Sequence, residues 1–560
     1  MNRSVNNRHY QMDSIICLVR RNILCLYLKA FKKNIQQYQY YKASKRLVCF
    51  ILFSINTSVA FSQKGSPALH YAVSIPDPAA HTYNIEFHCR NWSQDTIHLK
   101  MPKWMPGYYQ LMDYAKSVEN ISAKDEQGRS IAVERSNDNT WLIAGIKNRS
   151  FFVKYTIRTN KQFVANSYVD SAHAYIIPEN TFLYIEGHLD IPVSVSFSFS
   201  KLWKNIATGL DPVARKTNEF SAPDFDILYD CPVLIGNLVE LPSFKVKGIE
   251  HRFIAYNPGN FDHILFMKNL ERIVEAGASI VGDIPYKQYT FIGIGPGRGG
   301  IEHLNNTTVS FDGNGLDKPG AMNRVMNFIA HEYFHHYNVK RIRPFELGPF
   351  DYDNGNRTNL LWISEGLTVY YEYLIVKRAG LADAETLLAD FNNNLNAVEN
   401  NPGRLYQSLQ QASYNTWSDG PFGTQGQEPG RSISYYDKGP LVGLMLDLEI
   451  RNATQNKRSL DNVMQLLYWK YYKKEQRGFT EAEFQAACEQ VAGIPLTAIF
   501  EYVYTTKEID YTKYLAYAGL KIEKQNTGST EKTTIQKLKI TRMENPTALQ
   551  TAILRSWMGE

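Results

Sequence analysis

Cysteine is scarce in this chain, with six in 560 residues. Cys17, Cys25 and Cys49 fall within the first 62 residues, and Cys89, Cys231 and Cys488 are widely separated. That spacing excludes a cysteine metal motif and a disulfide framework, and the last three read as buried thiols. A surplus of one charge is also missing from the body of the chain. Residues 1–62 hold ten Lys or Arg and one acid, which leaves 51 of the 61 bases and 54 of the 55 acids beyond them. The formal +6 is therefore a property of the leader, and a body of net −3 gives no electrostatic case for nucleic acid as a partner. Internal repeats and low-complexity stretches are absent too. With 44% hydrophobic and 21% charged residues, the composition is that of a globular protein and excludes wholesale disorder.

No apolar run is long enough to span a bilayer comfortably. The longest, Leu47 to Val59, follows Lys45-Arg46 and ends in Ala60-Phe61-Ser62 before Gln63. Small residues at −3 and −1, Ala60 and Ser62, match a signal-peptidase site. Residues 1–62 are thus expected to be a leader with a signal peptide whose hydrophobic region is 47–61. The protein is expected to be exported, periplasmic or secreted, without stable membrane insertion after cleavage. An uncleaved anchor is the alternative.

From about His70 to Pro242 the hydrophobic pattern has period two, as in Tyr83, Ile85, Phe87 and Cys89, with turn residues between runs. This predicts an antiparallel β domain over 63–246. The register then changes. Helices are expected over Phe261–Val281, from Asp317 as N-cap to about Asn338, over Thr358–Ala379, and at Ala384–Asn396, Gly439–Asn452, Leu460–Glu475 and Thr480–Val491. A strand is expected at Tyr289–Gly295. The fold class is therefore multi-domain α+β, with the N-terminal antiparallel β domain followed by a mainly helical catalytic domain over 247–515. Residues 516–560 form a tail with a strand or two and a short helix.

The chemistry centres on His331-Glu332-Tyr333-Phe334-His335. Residues four apart on a helix share a face, so both imidazoles can reach one metal ion. Glu332 then lies beside the open coordination position, where a carboxylate can take a proton from water. A catalytic zinc needs a third protein ligand, and Glu365 in Leu361-Trp-Ile-Ser-Glu-Gly366 is the candidate, because burying it in an apolar stretch requires a partner. Glu372 competes for that role. His336 points about 100° away on an ideal helix and reads as a supporting residue. The glycines of Gly299-Gly300-Ile301-Glu302-His303 allow close backbone approach by an extended substrate, and Glu302 could pair with a peptide's α-amine. Tyr435-Tyr436-Asp437-Lys438-Gly439 offers a phenol to a developing oxyanion.

On these motifs, together with Trp104-Met-Pro-Gly-Tyr108 and the run His331 to Pro344, the chain resembles the glycyl aminopeptidase family of zinc metallopeptidases. Those enzymes are thermolysin-like and often carry a PDZ domain. The resemblance implies one Zn2+ per chain on His331, His335 and Glu365, with Glu332 as base, Tyr436 as oxyanion donor, and Glu302 beside Gly299 and Gly300 as amine anchor. It implies a peptide or protein substrate cut from its N-terminus, with small first residues such as Gly or Ala favoured. Ile301 and His303 depart from the Gly-x-Met-Glu-Asn pattern of wider relatives. Only 41 residues follow Gly519, so no complete PDZ module is expected. A metallo-endopeptidase and a catalytically degenerate peptide-binding protein are the alternatives.

Overall fold

Tyr83, Ile85, Phe87 and Cys89 point to one side of the strand Thr82–Trp92 and are fully buried, as their period-two spacing predicts. In the computed structural model, which describes residues 68–159, 161–526 and 536–560, this strand lies inside an eight-stranded sheet. It pairs antiparallel with Ala68–Ser74 on one side and Arg149–Arg158 on the other. The pairing across this region is antiparallel except where Ala68–Ser74 runs parallel to Val193–Ser198. Two four-stranded sheets complete it, and the three enclose a core rich in Tyr, Phe and Trp. The leader and its signal-peptide reading lie outside the described residues, as do Cys17, Cys25 and Cys49. Cys89, Cys231 and Cys488 are buried free thiols.

The strand expected at Tyr289–Gly295 is observed at Gln288–Gly293, inside a six-stranded sheet. Ile249–Ala255, Gln288–Gly293 and Asn306–Val309 run parallel, and the helix His263–Val281 crosses between the first two. Val239–Glu240 and Phe244–Val246 both pair with Ile249–Ala255. The edge strand Gly300–Glu302 runs antiparallel to Asn306–Val309. Helices follow, beginning with Ala321–Phe334 and continuing through Leu367–Arg378 and Tyr435–Ala453, until the strands Leu520–Asn526 and Gln536–Arg542 pair antiparallel ahead of the last helix, Ala548–Met558. None of the described helices is long and apolar enough to cross a membrane.

Three helix starts differ from expectation, the helix expected from Gly439 beginning one turn earlier at Tyr435. Asp317 is not a cap: the first motif helix begins at Ala321 behind Gly320, whose φ of 71° turns the chain in a conformation glycine tolerates best. The second begins near Leu361 rather than Thr358, and its first turn, Trp362–Gly366, is a π-helix. Propensity alone does not distinguish a π turn from an α turn, and such turns recur at functional sites. The tail packs on the helical domain. Trp557 is buried and donates its indole N–H to the Tyr370 hydroxyl at 3.1 Å, and the backbone N–H of Leu538 donates to Asn396 Oδ1 at 2.8 Å.

Candidate metal centre

The helix Ala321–Phe334 carries His331 and Glu332 in its last turn, and His335 follows at its C-cap with helical dihedrals. Both imidazoles therefore leave one face, one turn apart. The π turn Trp362–Gly366 brings Glu365 up to them. Asn338 ties the two segments together: its carbonyl accepts from His335 Nδ1 at 2.7 Å, and its amide donates to the Ile363 carbonyl at 2.8 Å.

The ligand atoms converge. His335 Nε2 lies 2.9 Å from His331 Nε2 and 3.2 Å from Glu365 Oε2, and His331 Nε2 lies 3.6 Å from Glu365 Oε2. Metal–ligand bonds of about 2.0–2.1 Å in a tetrahedron require edges of roughly 3.3 Å, and the three separations straddle that length. The histidine tautomers point the same way. His331 Nδ1 donates to Glu372 Oε2 at 2.7 Å, and His335 Nδ1 donates to the Asn338 carbonyl. Both Nε2 lone pairs are then directed at one point, beside a carboxylate, with every group buried. Such a cluster is unfavourable without a cation at its centre. Burial would lower the pKa of both histidines, but Glu365, aided at His331 by Glu372, outweighs it and raises them. The imidazoles hold the Glu365 carboxyl well below the usual range against its burial. The donor set fits zinc. Glu372, the competing third ligand, instead takes the outer position that orients His331.

Glu332 is buried, and its Oε2 has no hydrogen-bond partner among the described residues. Burial raises its pKa to about 8, with the two histidines acting the other way. It is seated against Gly300, where an added Cβ would stand 2.5 Å from the Glu332 carboxyl carbon. Gly299, Gly300, His331, Glu332, Glu372 and Tyr436 share one open cleft of about 520 Å³.

Tyr436 stands at the start of the helix Tyr435–Ala453, where its backbone N–H is capped by Ser434 Oγ. Its phenol donates to Glu365 Oε2 at 2.9 Å. Two glycines make this approach possible, because a Cβ on either Gly366 or Gly439 would lie 2.7 Å from the Cα of the other. Of the adjacent tyrosines, Tyr436 reaches the centre, whereas Tyr435 packs inward and its hydroxyl meets Thr416 Oγ1 at 3.0 Å. His336 is fully buried among Tyr286, Tyr289, Tyr333 and Tyr337, away from the cluster.

Glu302, on the edge strand, is buried and lines an adjoining cavity of about 100 Å³. Gly107 of the β domain packs on its carboxylate, with an added Cβ 2.8 Å from Oε2. Tyr109, two residues on, lines the same cavity. Burial, and after it the charges of Glu365 and Glu302, push its phenol well above its ordinary range. Sequence reasoning did not single out Tyr109. Its one signal was its place next to Trp104-Met-Pro-Gly-Tyr108.

Residues 70–237 match the Peptidase M61 N-terminal domain, and residues 324–442 match the M61 glycyl aminopeptidase domain. The structure is similar to that of an aminopeptidase N family protein from Idiomarina loihiensis, at 25% identity and a TM-score of 0.76, covering 82% of this chain and 79% of that one. An M1 zinc metallopeptidase from Deinococcus radiodurans aligns at 12% identity and a TM-score of 0.49, over 79% of this chain and 95% of that one. No curated protein sequence matches the chain.

Proposed function

Since the chain belongs to the M61 peptidase family and is a metallopeptidase, we propose that it is a zinc-dependent aminopeptidase, releasing residues one at a time from peptide N-termini. The observation that carries this reading is the convergence of His331, His335 and Glu365 within 4.8 Å of one another, next in sequence to the buried Glu332, whose Oε2 has no partner among the described residues. Zinc bound there would polarise the scissile carbonyl and make water a better nucleophile near neutral pH.

The protein's own groups account for the rest. Glu332 accepts the proton of the attacking water and passes it to the leaving amine. The Tyr436 phenol, already aimed at Glu365, donates a hydrogen bond to the developing oxyanion. Gly299 and Gly300 let the substrate backbone lie along the edge strand, and Glu302 holds the α-amine. The aminopeptidase N name of the Idiomarina relative supports N-terminal cleavage, and the glycyl aminopeptidase description of the family supports small first residues. Export to the periplasm or beyond belongs to the same reading and rests on Leu47–Ser62.

Glu332→Gln tests the centre: the variant is expected to keep its metal and lose at least a thousandfold in turnover. Near wild-type activity would falsify the assignment. N-terminal acetylation tests the mode of cleavage. An aminopeptidase leaves acetylated peptides intact, whereas an endopeptidase cuts them.

A further inference from the structure

Behind the Glu302 cavity lies a second cavity of about 350 Å³, lined by Leu304, Lys340, Arg341, Arg343, Tyr472, Lys473, Gln476 and Arg477. Five of these eight residues are cations and none is an acid. Four carboxylates around it are already engaged. Asp230 pairs with Lys340 at 2.6 Å and Asp283 with Lys473 at 2.9 Å, while Glu475 and Glu483 lie 2.6 and 2.7 Å from Arg477. Arg341 is spent on carbonyls, donating to His336 at 2.6 Å and Leu304 at 3.0 Å, with its buried Nε left without a partner.

Arg343 is different. It is half-buried and has neither an ion pair nor a side-chain hydrogen bond among the described residues. Burial lowers its pKa from the usual guanidinium value, and Asp226, which acts on it through space, opposes that. Asp226 is itself engaged, accepting from the Tyr352 hydroxyl at 2.7 Å. Gly348 leaves room for the guanidinium, since a Cβ there would collide with it. A partly desolvated guanidinium without an acceptor is costly, and its planar fork matches a carboxylate or phosphate.

We propose that this cavity is a binding site for a small oxyanion, held by the unpaired Arg343 guanidinium, with the N–H donors of Arg341, Lys340, Lys473 and Arg477 lining the cavity beside it. Two sources supply that chemistry. One is a free anion such as inorganic phosphate. The other is the side-chain carboxylate of an acidic first residue, entering from the Glu302 cavity, which shares Leu304, Lys340 and Arg343 with this one. The site lies close to the metal centre, because the backbone N–H groups of Val339 and Lys340 both donate to the His335 carbonyl at 3.0 Å. The binding site does not depend on the peptidase reading, and its first test is independent of turnover.

Calorimetric titration of the full metal-loaded protein with inorganic phosphate is expected to show one site, weakened at least tenfold in Arg343→Gln and several-fold in Lys473→Met. Both variants are checked for an unchanged melting temperature, and Lys473, more exposed than Arg343, carries the test if Arg343→Gln unfolds. In the second arm, kcat/KM is compared for Glu- and Gln-aminoacyl-coumarin substrates. A Glu preference that Arg343→Gln abolishes, with phosphate competing, assigns the site to the substrate. Phosphate binding lost in the variant without a Glu preference assigns it to a free anion. Phosphate binding equally to wild type and variants, or not binding while the Glu preference is absent, overturns the proposal.

Discussion

Adding a single methyl group at Gly300 is expected to displace Glu332, the proposed base, without disturbing the three proposed metal ligands. The Cβ of Gly300→Ala would stand 2.5 Å from both the carboxyl carbon and Oε1 of Glu332, and 2.9 Å from its Cγ. Ordinary van der Waals contact begins near 3.4 Å, so the carboxylate must retreat by about 1 Å. Glu332 is buried, so its side chain moves only by losing its place over the histidine pair. A misplacement of about 1 Å in a reacting group costs on the order of 100-fold in rate, or ~2.7 kcal/mol of barrier. Gly300 lacks the positive φ found at Gly299, so alanine fits the backbone and stability should change little. The assay is kcat/KM on alanyl- and glycyl-coumarin substrates, with zinc content by mass spectrometry and a melting curve. The expected result is full metal, a near-normal melting temperature and a hundredfold slower enzyme. A Gly300→Ala protein with wild-type kcat/KM would show that the Glu332 carboxylate does not work from this position.

Glu372→Gln leaves the three ligands in place but weakens the acceptor of the His331 Nδ1 proton. Zinc affinity, read by competition with a chelator, should fall about 10- to 100-fold, and unchanged affinity would count against the outer role of Glu372. Gly439→Ala drives a methyl into the backbone of Gly366, which cannot rotate away as a side chain can. A loss of about 1–3 kcal/mol in stability is expected, together with lower activity as Tyr436 and Glu365 separate. A variant of normal stability and activity would contradict that packing. His251 is fully buried, with Nε2 2.8 Å from the Tyr286 hydroxyl, and burial lowers its pKa from 6.5 to about 4. Between those values the unfolded chain binds more protons, so stability falls as pH drops through this window, by about 2 kcal/mol at pH 5. Denaturant titrations at pH 7 and pH 5 should show a smaller difference in His251→Asn, and equal differences would remove His251 as the cause.

The parts legible in the sequence are those governed by local periodicity. Tyr83 to Cys89 announced a strand through alternation, because adjacent side chains on a pleated backbone face opposite ways. His331 and His335 announced a metal pair because four residues nearly close one helical turn, and that holds whatever surrounds the helix. Even Glu365 could be inferred, since a carboxylate inside an apolar stretch needs a compensating charge.

Tertiary structure decided what depends on segments far apart in the chain. Glu372 became the acceptor of His331 rather than a ligand because the two helices cross at a particular depth. Tyr436 rather than Tyr435 reached the centre because Gly366 and Gly439 let two backbones touch. Tyr109 and Gly107 arrived from the β domain about two hundred residues upstream of the motif helix, and Arg343 was left without an acceptor by the same packing. Hydrophobic spacing records which face of an element is buried. It does not record against which partner, because that is chosen only when the whole core closes and van der Waals contacts of a few tenths of an ångström select one docking.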